Sequence, residues 1–280
     1  QIVMIGRDEG WALTSSGDML HYTNGNWQLV SGIAESGYNA IAMVDANEGW
    51  AMATCGDVLH YSDGKWHNLS YPTDNWMSAL AMVSNNEGWA VGQHGTILHY
   101  IEDTWEPFPS PTTEDITAIA MISANEGWAV GDHTILHYKQ GLWESIAAPA
   151  NLEATAIAMV NQDEGWIVSW FGDILHYENS EWREVPSPTT ESLNAVVMID
   201  AQHGWIVGNN GTILQYEDGV WQQPILNLTE ENLNDLAMVS PDEGWIVGDN
   251  NTILHYFEGE WKIAPVPKHP WSDTIYLDTI

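Results

Sequence analysis

The chain carries very little positive charge. Of its 280 residues only six are Lys or Arg (Arg7, Lys65, Lys139, Arg183, Lys262 and Lys268), against 39 Asp and Glu, and the formal net charge is -33. Charged residues make up 16% of the chain, below the ~25% of ordinary globular domains. The imbalance is therefore a shortage of bases, not the added carboxylate of a halophile surface. Phosphate backbones and anionic bilayers are held by clustered Lys and Arg. Six scattered bases make no such cluster, which excludes nucleic acid and anionic membrane surfaces as partners. Cationic ligands, metal ions and neutral sugars remain open. Cys55 is the single cysteine, so no intrachain disulfide forms. No run of ~18 apolar residues offers a spanning helix, and no signal-peptide pattern is visible. No phosphate-cradling glycine loop occurs, and no cofactor is expected.

What is abundant is tryptophan, and it is periodic. A Gly-Trp pair recurs seven times, with Trp at 11, 50, 89, 128, 166, 205 and 245, spaced by 39, 39, 39, 38, 39 and 40 residues. A Leu-His-Tyr triplet follows each Trp, with Gln215 in place of His in the sixth copy, and a second Trp follows the triplet. A fixed period of this length marks one supersecondary unit copied in tandem.

The third copy shows the unit. Ala79 to Val83, Trp89 to Gly92 and Thr96 to Tyr100 are short apolar runs, and Trp105 opens a fourth segment; residues typical of turns separate them. Four short strands joined by turns make one small antiparallel sheet. The first two runs are apolar on both faces, whereas a sheet with one wet face alternates. Seven such sheets arranged radially cover both faces of each. The expectation is an all-β, seven-bladed β-propeller of four-stranded antiparallel blades, a single domain spanning residues 1–280. Gln1 to Ile5 matches the first strand of the unit, and so does Asp273 to Ile280. The short link from Ile5 to Trp11 favours the N-terminal segment as the innermost strand of blade 1. Closure by an extra C-terminal strand, 273–280, is the alternative.

At the turn between the third and fourth strands the second copy reads His60-Tyr61-Ser62-Asp63-Gly64-Lys65-Trp66. This resembles a shortened Asp-box, the turn of BNR-repeat propellers. The Gly-Trp-Ala-Val-Gly-x-x-Gly-Thr-Ile-Leu stretch that precedes this turn in the third copy is similar to the repeat of the photosystem II stability/assembly factor family, over essentially the whole chain. The box is degenerate: Asp occurs at two of the Gly-containing turns (Asp63, Asp218), and blades 3 and 5 replace Gly by Asp103 and Ser180. The resemblance implies a seven-bladed propeller and an assembly or structural role. Sialidases share the Asp-box fold but grip a carboxylate with three arginines, and this chain has only Arg7 and Arg183.

Residues present in every copy are expected to pack the blades. That reading covers the His column (His21, His60, His99, His137, His176, His255), the fourteen repeated Trp and the Met column running from Met4 to Met238. Function is expected where copies differ, on the face carrying the loops between second and third strands and between blades. Three Trp fall outside the repeated columns, Trp76, Trp170 and Trp271, and all map to that loop face. Exposed aromatics on loops stack on sugars or anchor proteins. His94 and His133 lie on the same face and join them as candidate ligand-binding residues. With Cys55 they are the nearest the chain comes to a nucleophile and base, and nothing around Cys55 marks an activated thiol. Asp18, Asp57 and Asp173 precede third strands, forming an acidic rim and weak candidates for a hard cation. No catalytic residue is assigned.

The reading is a non-enzymatic binding or scaffold propeller that recognises a glycan or a protein on its loop face. An assembly subunit of an envelope or photosynthetic complex is the alternative, and a hydrolase at the acidic channel mouth the third. Few bases, abundant Asn, Gly, Ser and Trp, and sequons at Asn68, Asn210, Asn227 and Asn250 point to an extracytoplasmic location. An opening Gln1 fits a processed chain or a piece of a longer one.

Overall fold

The computed structural model describes residues 1–14, 18–30, 37–53, 58–69, 73–226 and 228–265. These residues form seven four-stranded antiparallel sheets, each from four consecutive strands in chain order. Blade 1 comprises Ile2–Gly6, Glu9–Leu13, Met19–Thr23 and Asn26–Val30; blade 3 comprises Met77–Ser84, Glu87–Gly92, Ile97–Ile101 and Thr104–Pro107. First strands of neighbouring blades touch, and the seventh touches the first, so the sheets form a closed ring with first strands innermost. The innermost strand of blade 1 is Ile2–Gly6, the reading that the short link to Trp11 favoured. Asp273 to Ile280 lies outside the described residues.

Tryptophan holds the ring together. The second-strand Trp of each blade is buried against the third-strand Tyr of the next: Trp11 on Tyr61, Trp89 on Tyr138 and Trp166 on Tyr216, with ring centroids 5.1, 4.6 and 4.9 Å apart. At six of the seven seams the outer-strand Trp of the next blade meets it edge-on, as Trp221 meets Trp166 at 90°. Trp245 repeats the contact on Tyr22 and Trp27 of blade 1 at 4.9 and 5.8 Å, closing the circle. Each such indole removes on the order of 150–250 Å² from water, and for this reason a chain with no disulfide among its described residues can hold thin sheets side by side.

The glycine before each inner Trp has a steric cause. A Cβ at Gly49 would sit 2.2 Å from Met43 Sδ and 3.0 Å from the Ala42 carbonyl oxygen. The same clash arises at Gly10, Gly88, Gly127, Gly165, Gly204 and Gly244, always with the Met of the first strand. The Met column thus lies flat across the Gly column. At the turn between third and fourth strands both central residues adopt φ > 0, Asp63 at 51° and Gly64 at 74°. That geometry matches the twist of a two-residue hairpin and favours Asn, Asp and Gly. Blades 3 and 5 reach it with Asp103 at 63° and Ser180 at 65°, so losing the Gly does not change the turn.

First strands are also tied to one another by side chains. Thr117 and Thr155 donate to the carbonyls of Ala154 and Leu193 in the next blade, both at 2.6 Å, and Asn194 donates to Leu233 O at 2.8 Å. At the closing seam Asp235 replaces the Ala that every other full-length first strand carries (Ala40, Ala79, Ala118, Ala156, Ala195). Its carboxylate accepts the Ile2 N–H at 2.8 Å, and burial holds its pKa above the ordinary carboxylate range. Arg7 adds an ion pair to Glu243 of blade 7 at 2.5 Å.

Candidate functional site

Two sets of side chains carry the chain's titratable and aromatic chemistry. The first is the His column. Each of its six imidazoles stacks on the inner Trp of its own blade, at 3.9–4.7 Å and 6–17°. Each is also paired with the Glu that opens the second strand. His21 meets Glu9 at 2.5 Å, His137 meets Glu126 at 3.0 Å and His176 meets Glu164 at 3.6 Å; His60 pairs with Glu48 in the same way. The imidazoles are partly exposed, at 15–27%, and so are less enclosed than the repeat alone implies. Blade 6 changes both partners at once: His203 stands where Glu stands elsewhere, and Gln215 replaces the His. His203 pairs instead with Asp200 at 2.9 Å, and that hydrogen bond holds the Asp200 carboxyl below its ordinary range. A unit repeated in six blades and exchanged as a pair in blade 6 orients a ring against a ring and has the character of packing. The Glu of this unit was legible only from that paired exchange.

The second set lies on the loop face, on three consecutive blades. Trp76 precedes the first strand of blade 3 and is 53% exposed. His94 stands on the loop between second and third strands of the same blade, with 75% of its side chain exposed. His133 occupies the matching loop of blade 4 and is exposed. Trp170 and Phe171 occupy that loop in blade 5, at 52% and 55%. Blade 4 comprises Ile116–Ser123, Glu126–Gly131, Thr134–Lys139 and Leu142–Ile146; blade 5 comprises Ala154–Asn161, Glu164–Ser169, Ile174–Glu178 and Glu181–Val185. Four of the five expected ligand-binding residues therefore share one arc, joined by Phe171. Trp271 lies outside the described residues.

Backbone hydrogen bonds fix the arc. Gln93 N–H donates to Trp76 O at 2.9 Å, His133 N–H to Leu152 O at 2.8 Å and Trp170 N–H to Glu153 O at 2.9 Å. His94 N–H donates to Asp115 Oδ1 at 2.8 Å. Each loop is thereby tied to an interblade segment beside it. Blade 5 has an added brace, because fully buried Ser169 stands where blades 3, 4, 6 and 7 have Gly. Its hydroxyl donates to Asp173 Oδ2 at 2.8 Å and accepts the N–H groups of Phe171 and Asp173 at 3.2 and 3.0 Å.

Asp173 therefore spends its carboxylate on the loop. Asp18 donates its N–H to Thr14 Oγ1 at 2.9 Å, a similar loop-closing role, and Asp57 and Cys55 lie outside the described residues. Among the described residues no three or more His, Cys, Asp or Glu side chains are grouped so as to hold a metal ion. Two open cavities reach the loop face. One of about 430 Å³ lies at the seam of blades 7 and 1, beside Gln1, Tyr38, Asn39 and Asp249. One of about 470 Å³ lies at the edge of blade 6, beside Asn210, Ile225 and Glu230. Neither gathers a nucleophile with a base.

The repeat and the fold both have known counterparts. The family model of the photosynthesis system II assembly factor YCF48 matches residues 174–268, from the third strand of blade 5 onward. The structure of YCF48 bound to D1 peptide superposes with a TM-score of 0.78 at 18% identity, covering 92% of this chain and 90% of that one. YCF48 from Cyanidioschyzon merolae gives 0.76 at 16% identity, covering 93% and 95%. The WD40 repeats of RRP9 give 0.72 at 9% identity, covering 95% and 86%. At these identities the likeness shows the shared ring, and the RRP9 match shows how little the ring specifies about function. No curated protein matches the chain by sequence. The chain resembles the YCF48 propellers in repeat sequence and in fold.

Proposed function

We propose that this chain is a non-catalytic propeller that holds a protein partner on its loop face, as an assembly or scaffold subunit. The observation that carries this reading is the arc on blades 3 to 5, where divergent, exposed rings stand on loops braced by backbone hydrogen bonds. Large exposed aromatics on a rigid frame are what protein interfaces use as anchors, and monomeric surfaces rarely leave them together. The family model matched by the last blades describes an assembly factor, and one structure with the same fold was solved with a D1 peptide; both favour a peptide or protein over a sugar. We place the protein outside the cytoplasm on compositional grounds, which fractionation of native cells tests.

The test is photo-crosslinking in the native cell from a probe at position 170, compared with one at 142. Leu142 is 59% exposed and lies beside the third turn of blade 4, on the opposite face. A discrete protein adduct from 170 and none from 142 is expected. Adducts from 142 alone overturn the reading. No adduct at 170, together with glycan-array binding that Trp170→Ala abolishes, assigns the arc to a sugar instead.

A further inference from the structure

We propose that the arc on blades 3 to 5 takes an extended, positively charged segment of the partner, with Arg or Lys side chains seated over Trp170 and Phe171. The proposal rests on the protein-partner reading and names the chemistry of the segment bound.

The argument starts from where the few bases are. Among the described residues, Arg7 lies in the first turn of blade 1, Lys65 and Lys139 flank third turns, and Arg183 and Lys262 lie on outer strands. None is on the loop face. Arg7, Arg183 and Lys262 are moreover paired, with Glu243, Glu181 and Glu260. The loop segments of blades 3 to 5 meanwhile carry Glu114, Asp115, Asp132 and Glu153. Asp132 and Glu153 are backbone partners across adjacent blades, and Glu153 gives its carbonyl to Trp170. Carboxylates thus stand on the loops that carry the exposed rings, and no Lys or Arg lies on that face among the described residues. An acidic segment brought here meets like charge, whereas a cationic one gains from the field.

The rings decide the mode of contact. Indole is the best aromatic surface for a guanidinium or ammonium group. Trp170 and Phe171 are adjacent in sequence and more than half exposed, while their loop is held by the buried Ser169 hydroxyl. A braced loop presents the rings without an ordering cost on binding. Blade 5 also departs from its neighbours here. His94, His133, Asn210 and Asn250 sit at φ of 50–55° in the matching loops, and Phe171 has no such left-handed backbone. The loop is built differently where it carries the two rings. Trp76 and the two imidazoles extend the same surface across blades 4 and 3, so an extended segment meets rings and carboxylates along its length.

The probe is a capped peptide of repeated Gly-Arg-Ser, titrated calorimetrically into the full chain at physiological salt, with Gly-Gln-Ser and Gly-Glu-Ser repeats alongside. The arginine peptide is expected to bind and the other two not. Trp170→Ala with Phe171→Ala should weaken binding at least about tenfold, and Glu153→Gln a few-fold. Glu102→Gln with Asp218→Asn, on the opposite face, should leave it unchanged. Unfolding midpoints confirm that each variant folds. No arginine-peptide binding, equal binding of the glutamine or glutamate peptide, or equal loss from the opposite-face pair overturns the proposal. Failure here is separable from failure of the protein-partner reading. A crosslink from position 170 to a neutral or acidic segment refutes the charge assignment alone, and absence of any protein crosslink from 170 refutes both.

Discussion

On the strands the residue at a given position recurs from blade to blade; on the loop face it changes. Gly-Trp, the Met beneath it and the Glu-His pair return almost unaltered, and each has a stereochemical reason to do so. The matching loop position reads His94, His133, Phe171, Asn210 and Asn250 in blades 3 to 7. Yet the described loops of blades 3 to 7 are hydrogen-bonded to the segments beside them, as the strands are to each other. Backbone hydrogen bonding is therefore shared by strands and described loops, while identity of side chain is demanded where strands pack within and between blades. The freedom left to the loop face is what a ring of near-identical sheets has available for recognition.

Substitutions sharpen that contrast. The largest effect is expected at the seam. Trp89→Ala, at a fully buried position, should cost about 3–5 kcal/mol in denaturant unfolding, whereas Trp170→Ala should stay within about 0.5 kcal/mol. Comparable losses at both positions would erase the distinction. Next is Gly49→Ala, whose methyl meets Met43 Sδ and a backbone carbonyl; overpacking of this kind costs about 1–3 kcal/mol. An unchanged midpoint would refute the steric account of the Gly-Trp motif.

A smaller effect belongs to the Glu-His pair. A double-mutant cycle on Glu9→Gln and His21→Gln should give a coupling of about 0.5–1.5 kcal/mol, since the two groups are 2.5 Å apart. Zero coupling would make the paired exchange in blade 6 accidental. The mildest effect near neutral pH concerns the third-strand tyrosines. All seven, Tyr22 to Tyr256, have pKa values raised above the ordinary 10.0, first by burial and then, in most, by nearby carboxylates. The folded state thus keeps protons the unfolded chain releases. Stability is fully present below pH 10 and falls as pH rises past it. The thermal midpoint should decline on that alkaline limb, with the same slope in Trp170→Ala as in the parent.

Much of this was legible beforehand, for physical reasons. A 39-residue period and apolar runs on both faces of a strand leave few architectures, so the blades, their strands and the sorting of loops to one face were readable from Trp and turn residues. The Glu partner of the His column was hidden because Glu48 and its equivalents stand in a turn motif where charge is expected anyway. Only blade 6, where His203 and Gln215 change together, carried the signal. The clustering of Trp76, His94, His133 and Trp170 on three consecutive blades follows from topology once the blades are numbered. That Phe171 stands beside them on a Ser169-braced loop is a matter of local backbone, which no repeat pattern encodes. Trp271 and Asp57, expected on the same face, fall outside the described residues.

The most direct test makes blade 5 resemble blade 6, where the loop reads Asn209-Asn210-Gly211. In a chain carrying Trp170→Asn and Phe171→Asn, photo-crosslinking from His133 to the native partner should disappear while the unfolding midpoint stays within about 0.5 kcal/mol of the parent. A partner retained at full yield, or a ring that no longer folds, would contradict the assignment of recognition to the positions where the copies differ.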